Sequence, residues 1–140
     1  MEATRDGYED LLIHTAAAEG AIEKVAELLA QGVSANQPNF HGLSPLHCAA
    51  EFGQVDCVRL LLQANADVDL PVNGRGTTAS HLAAQGGYSD VLQVLLEGGA
   101  DVTAKNTWGS TVLKVAKKRN KEKRAGSEQV LAVLAAFGAS

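Results

Sequence analysis

Gly42-Leu43-Ser44-Pro45-Leu46-His47-Cys48-Ala49-Ala50 is the stretch on which the fold turns. A Ser directly before a Pro is a helix start written in two residues. The Ser44 hydroxyl can accept from a free backbone N–H of the first turn, and Pro45 at the first helical position gives up an N–H that would have no partner there anyway. The helix is short, His47 to Phe52, because Gly53 supplies the left-handed residue that ends it. A second helix follows from Val55 to Ala64, amphipathic through Val58, Leu61 and Leu62 and stopped at Asn65. The result is a helical hairpin.

Working outward, the same hairpin recurs along the whole chain. His14, His47, His81 and Lys114 are spaced by 33, 34 and 33 residues. The pairs Ala16-Ala17, Ala49-Ala50 and Ala83-Ala84 keep step with them, as do Leu28-Leu29, Leu61-Leu62 and Leu95-Leu96. Gly20 and Gly87 repeat the part of Gly53, and Gly32, Gly99 and Gly138 stand where Asn65 ends the second helix. After each hairpin an extended stretch, such as that from Val33 to Gly42, leads to the next. One such hairpin cannot bury its apolar face alone, so the units must stack. Composition agrees: 46% of the residues are apolar but only 4% aromatic, so Ala, Val and Leu fill the core, which suits closely packed helices. At 140 residues one ordinary domain is expected and not a second independent one.

The stretch from Gly42 to Ala50, then Gly53, then Leu60-Leu61-Leu62, and later Gly99-Ala100-Asp101-Val102, resembles the ankyrin repeat. The resemblance covers about residues 10 to 139. It implies an all-α solenoid of stacked helix–turn–helix units with β-hairpin-like loops, slightly curved, whose inner face binds proteins. On this reading 1–140 is a single domain with units at about 10–37, 38–70, 71–104 and 105–139, the first and last being capping units. His14 and His47 are implied to bond the backbone of loops between neighbouring units.

The departures from the repeat carry information. The first unit has Leu11-Leu12-Ile13 in place of the turn motif and shows Glu19, Glu23, Lys24 and Glu27, the polar outer face that a terminal unit needs. The third keeps Thr78 as a cap but loses Pro and Leu, and its loop from Leu70 to Gly76, with Pro71, Asn73 and Gly74, is one residue longer and is expected to be the most mobile tip. The fourth has Lys114 for His and six extra residues. Its first helix is expected to run to Lys123 or Arg124, with Gly126 stopping it and Ser127 capping a helix from Glu128 to Phe137.

Several functions are argued against. No apolar run approaches the roughly 18 residues of a membrane span. The first ten residues hold Glu2, Asp6, Glu9 and Asp10 instead of a secretory pattern. Cys48 and Cys57 sit inside apolar helical patterns and read as buried thiols, which places the chain in the cytoplasm, the nucleus or both. His41, His47, Cys48 and Cys57 lie close in sequence, but the paired ligand spacing of a zinc site is missing, so no metal and no cofactor is expected. Ser44, Thr78 and Thr111 stand where helix caps belong, which leaves no free nucleophile, and Gly74-Arg75-Gly76 alone does not make a phosphate loop. The chain is not read as an enzyme.

What remains is binding to other proteins, by a monomer. In the family that the repeat resembles, the loop tips and the exposed side of the first helices vary between units. Here those positions hold Phe40, His41 and Leu43; Glu51 and Phe52; Arg75, Thr77 and Gln85; and Thr107, Trp108 and Ser110. Phe40, Phe52 and Trp108 are the telling members, since aromatics dominate binding hot spots. Charge is divided as well: residues 1–110 hold 14 acidic and 5 basic side chains, a net of −9, while 111–140 hold 2 acidic and 7 basic, a net of +5. The basic patch is Lys114, Lys117, Lys118, Arg119, Lys121, Lys123 and Arg124. It reads as a solvated helix face, a nuclear-import signal, a site for an acidic protein, or a phosphate-binding surface. Nucleic acid ranks last, because aromatics are scarce there and the acidic body repels a phosphate backbone. Asn36 stands where ankyrin-like proteins can be hydroxylated, or serves as a turn residue. The chain is either a scaffold or adaptor, or a small inhibitor of an enzyme such as a kinase or of a transcription factor.

Overall fold

The computed structural model describes residues 8–72 and 75–139, with side chains from residue 12 onward. Asn73 and Gly74, on which the expectation of a mobile tip falls, lie outside the described residues. Among the described residues there are eight helices: α1 (Tyr8–Glu19), α2 (Ile22–Ala30), α3 (Pro45–Glu51), α4 (Val55–Gln63), α5 (Ala79–Gly86), α6 (Ser89–Glu97), α7 (Val112–Lys121) and α8 (Ser127–Ala136). Each odd helix packs on the even one that follows it. The odd helices also pack on one another in order, α1 on α3, α3 on α5 and α5 on α7, and so do the even ones, which gives two parallel layers of helices.

Small side chains let the layers approach. Ala16, Ala17, Ala49, Ala50, Ala83, Ala84 and Ala116 are buried on the inner helices, while Val25, Leu28, Val58, Leu61, Val91, Leu95, Val130 and Leu134 fill the core from the outer ones. The inner helices start as the sequence requires. The His47 N–H donates to Ser44 Oγ at 3.3 Å, and the Ser44 N–H donates back to His47 Nδ1 at 2.9 Å. Thr111 Oγ1 accepts from the Lys114 N–H at 3.1 Å. In the third unit the Thr78 N–H donates to His81 Nδ1 at 3.2 Å, and the hydroxyl lies 2.9 Å from the same nitrogen.

The loops fold back on themselves, but among the described residues only one β-bridge forms, Lys105 with Thr111. Asn side chains hold the tips instead. Asn39 Oδ1 accepts from the His41 and Leu43 N–H groups, and Asn106 Oδ1 accepts from those of Trp108 and Ser110. The middle loop has Val72 at this position and closes by the Val72 N–H to Thr77 O at 2.7 Å, around its extra residue.

The fourth unit corrects the expected boundaries. In the second and third units Gly53 and Gly87 adopt positive φ, and the next N–H bonds back five residues, from Gln54 to Ala49 O and from Tyr88 to Ala83 O. The same pattern appears at Lys123, which has φ of 55° and is followed by the Arg124 N–H bonding to Arg119 O. Helix α7 is therefore one turn longer than its counterparts, and Lys123, not Gly126, ends it. Gly126 is needed for a different reason: its φ is positive, 82°, and a Cβ there would run into Gly87 O of the preceding unit. Nor does Ser127 cap α8. It is the first residue of that helix, and its hydroxyl donates to Arg124 O at 2.7 Å.

Candidate functional site

The three loop tips and the inner helices α3, α5 and α7 enclose an open groove of about 1050 Å³. Of the residues expected to bind, it is lined by Phe40, His41 and Leu43 on the first tip, Glu51 on α3, Arg75 and Thr77 on the second tip, Gln85 on α5, and Trp108 and Ser110 on the third tip. Phe40 is 89% exposed and Trp108 67%. Both rings stand at the rim, Phe40 almost bare and Trp108 about a third covered by its own chain. Thr107 is set apart, in a smaller cleft of about 670 Å³ between tips that it shares with Pro38, Pro71 and Val72. Phe52 is placed apart from the other two rings: it follows the last residue of α3, is 55% exposed, and does not line the groove.

The basic segment also divides. Lys114, Lys118, Arg119 and Arg124 line the groove, while Lys117, Lys121 and Lys123 do not and are exposed. Arg119 is not part of a solvated patch at all. It is 8% exposed. Its Nη1 donates to Gln85 O at 2.6 Å, and Nη2 and Nε donate to Ala125 O at 2.6 and 3.1 Å. The guanidinium thus closes the C-terminal end of α5, where the helix leaves carbonyls free, onto the turn inserted in the fourth unit. That turn is what carries Glu122 and Arg124 to the groove, where the two side chains pair at 3.9 Å.

Several lining residues carry no signal of their own in the sequence. Leu82 and Val115 are half-buried in the groove floor at the unit position that Cys48 occupies in α3. The repeat spacing of 34 and 33 from Cys48 would have pointed to both. Val72 and Asn106 join them from the loops.

The remaining polar candidates are engaged elsewhere. His14, His47 and His81 each place Nε2 against a carbonyl of the following loop: Gln37 O at 2.7 Å, Leu70 O at 2.7 Å and Ser110 O at 2.9 Å. Because His47 Nδ1 accepts from the Ser44 N–H, the ring is neutral with its proton on Nε2. Burial holds the pKa of His47 and of His81 below the ordinary value of 6.5, against the raising effect of the carbonyl each bonds. Asn36 ties neighbouring units, accepting from the Asp67 N–H at 2.7 Å and donating to Asn65 O at 3.5 Å. Cys48 and Cys57 are buried, unpaired thiols. Burial pushes Cys48 up to about 12 and raises Cys57 as well, so neither is a ready nucleophile. Among the described residues, no three His, Cys, Asp or Glu side chains gather in a way that could hold a metal ion, and no helix is long and apolar enough to cross a membrane.

Two layers of short helices, stacked unit on unit with loops along one edge, define a helical repeat solenoid. The family profile described as ankyrin repeats (3 copies) matches residues 13–106, and the chain belongs to that family. It is 35% identical over 79 residues to ankyrin repeat domain-containing protein 37 of Bos taurus, covering 56% of this chain and 49% of the relative. It is 47% identical over 58 residues to cortactin-binding protein 2 of Ornithorhynchus anatinus, and 42% identical over 57 residues to E3 ubiquitin-protein ligase XB3 of Oryza sativa subsp. japonica. Those matches cover 41% of this chain in each case, but only 4% and 13% of the two relatives. The chain thus spans half or less of the curated relatives it matches here. Ankyrin repeats typically bind proteins and are generally not enzymes, and the family makes this chain a protein-interaction module.

Proposed function

We propose that this chain is a monomeric scaffold or adaptor that docks a partner protein in the groove between its loop tips and inner helices. One observation carries the reading: two aromatic rings, Phe40 and Trp108, stand exposed on the rims of a groove whose floor holds the half-buried Leu82 and Val115. An isolated exposed apolar residue needs no explanation, but rings facing a shared apolar floor are what a partner's side chains bury against. A contact of ordinary size, about 800 Å² per partner, suits a surface that draws on three units. The working compartment is the cytoplasm or nucleus, in keeping with two buried thiols left unpaired. The test is affinity capture from extracts of the source cells with the intact chain and with the Phe40→Ala/Trp108→Ala double variant. Proteins retained by the first and lost by the second support the reading, and identical capture by both refutes the face.

A further inference from the structure

The groove is not uniform in charge along its length. The inner-helix position four residues after each of His14, His47, His81 and Lys114 is filled by Ala18, Glu51, Gln85 and Lys118 in turn. The last three line the groove, so its floor runs from negative over the second unit, through neutral, to positive over the fourth. Lys114 joins Lys118 at the positive end, and Arg75 reaches in from the middle tip. Among the described residues, none of these three cations has a carboxylate within ion-pair distance, whereas Arg124 faces Glu122 and Arg119 is held by carbonyls. The positive end is also local. Residues 1–110, which supply most of the molecule, carry a net charge of −9, and the basic side chains gather in 111–140, a net of +5, where Lys114 and Lys118 line the groove while Lys117, Lys121 and Lys123 are exposed outside it.

Resting on the reading of the groove as the protein-binding face, we infer that its occupant is an extended acidic segment of the partner. That segment sets carboxylates against Arg75, Lys114 and Lys118 and apolar side chains against Phe40 at one end and Trp108 at the other. Helices in neighbouring units lie about 10 Å apart, so three units span about 20 Å. At about 3.3 Å per residue that is roughly six residues of extended chain. A nucleic-acid strand fits less well, because it bears a charge at every step while this groove has Glu51 at one end and holds its cations over the middle and the other end.

The test uses the full chain and a displayed library of random peptides about twelve residues long, twice the span of the groove. The expected result is enrichment of net-acidic sequences that also carry an aromatic or large aliphatic residue. A synthetic peptide of the enriched pattern should then lose affinity about tenfold on Lys114→Glu/Lys118→Glu, and weaken from low to physiological salt. Both lysines are exposed, and circular dichroism checks that the variant stays folded. Enrichment of neutral or basic peptides, or affinity indifferent to the charge reversal, overturns the inference. If such peptides still lose binding on Phe40→Ala/Trp108→Ala, the protein-binding groove stands and only the acidic partner falls. If nothing enriches, or every variant binds equally well, both fall. Tighter binding of random single-stranded DNA through the same lysines also overturns the inference, in favour of nucleic acid.

Discussion

Replacing Arg119 by Met tests how the fourth unit is joined to the stack. Methionine keeps an unbranched apolar stem but removes the N–H groups that reach Gln85 O and Ala125 O at 2.6 Å each, together with the longer bond from Nε. Two carbonyls lose a charged donor in a site where the guanidinium is only 8% exposed. A hydrogen bond to a charged group contributes about 1.5–3 kcal/mol, but the two bonds on Ala125 share one acceptor, and methionine is spared the cost of burying a cation. The net loss is about 2–4 kcal/mol, a large part of the 5–15 kcal/mol typical of a domain. For a chain of this size that lowers Tm by about 10 °C. Arg119→Lys keeps the charge but cannot fork between two carbonyls on opposite sides, so it should recover roughly half of the loss. Thermal and urea unfolding followed by far-ultraviolet circular dichroism measure both variants, and amide exchange over 122–127 locates the loosening. A Tm shift below about 2 °C for Met, or a Lys variant no better than Met, would show that the guanidinium does not hold the inserted turn.

Two further predictions concern the interior. Ser80 is buried at the position where the second unit has Leu46, and its hydroxyl has no hydrogen-bond partner; Ser80→Ala should raise stability by about 1 kcal/mol in urea unfolding, and a loss instead would mean the hydroxyl is satisfied. His47 and His81 both have folded pKa values below 6.5, so the unfolded chain binds protons more readily than the folded one. Their contribution is fully present above about pH 6.5 and declines as the pH falls through the folded values, so urea midpoints measured from about pH 8 to pH 5 should drop. Midpoints that rise across that range would contradict a neutral, Nε2-protonated ring.

The regular part of the fold was open to reading because its signals are local. A Ser-Pro start, an Ala pair, a Gly six residues after each motif histidine and a Leu pair each encode one step of the hairpin, and the spacing repeats them. What the sequence hid were contacts between units. Arg119 stands in a run of lysines and looks like its neighbours; only the extra turn of α7 swings it under Gln85 O, and no pattern within the run distinguishes it. Lys123 gives no sign in the sequence of ending α7, because a left-handed residue is expected to be Gly and Gly126 stands three residues on. Phe52 shares the aromatic character of Phe40 and Trp108, but it follows the end of α3 and not a loop tip, which leaves it off the groove. The floor residues Leu82 and Val115 are legible from register alone, because they repeat the position of Cys48 from unit to unit.

One face of the molecule, and not the other, is expected to meet a partner. A photoactivatable benzophenone amino acid placed at Gln85, exposed in the groove floor, and separately at Glu97, exposed at the end of α6 in the outer layer, measures this directly. Irradiated in extract of the source cells, the chain labelled at Gln85 should give protein adducts that vanish with Phe40→Ala/Trp108→Ala, and the chain labelled at Glu97 should give none. Adducts from Glu97 alone, or equally from both positions, would contradict the account.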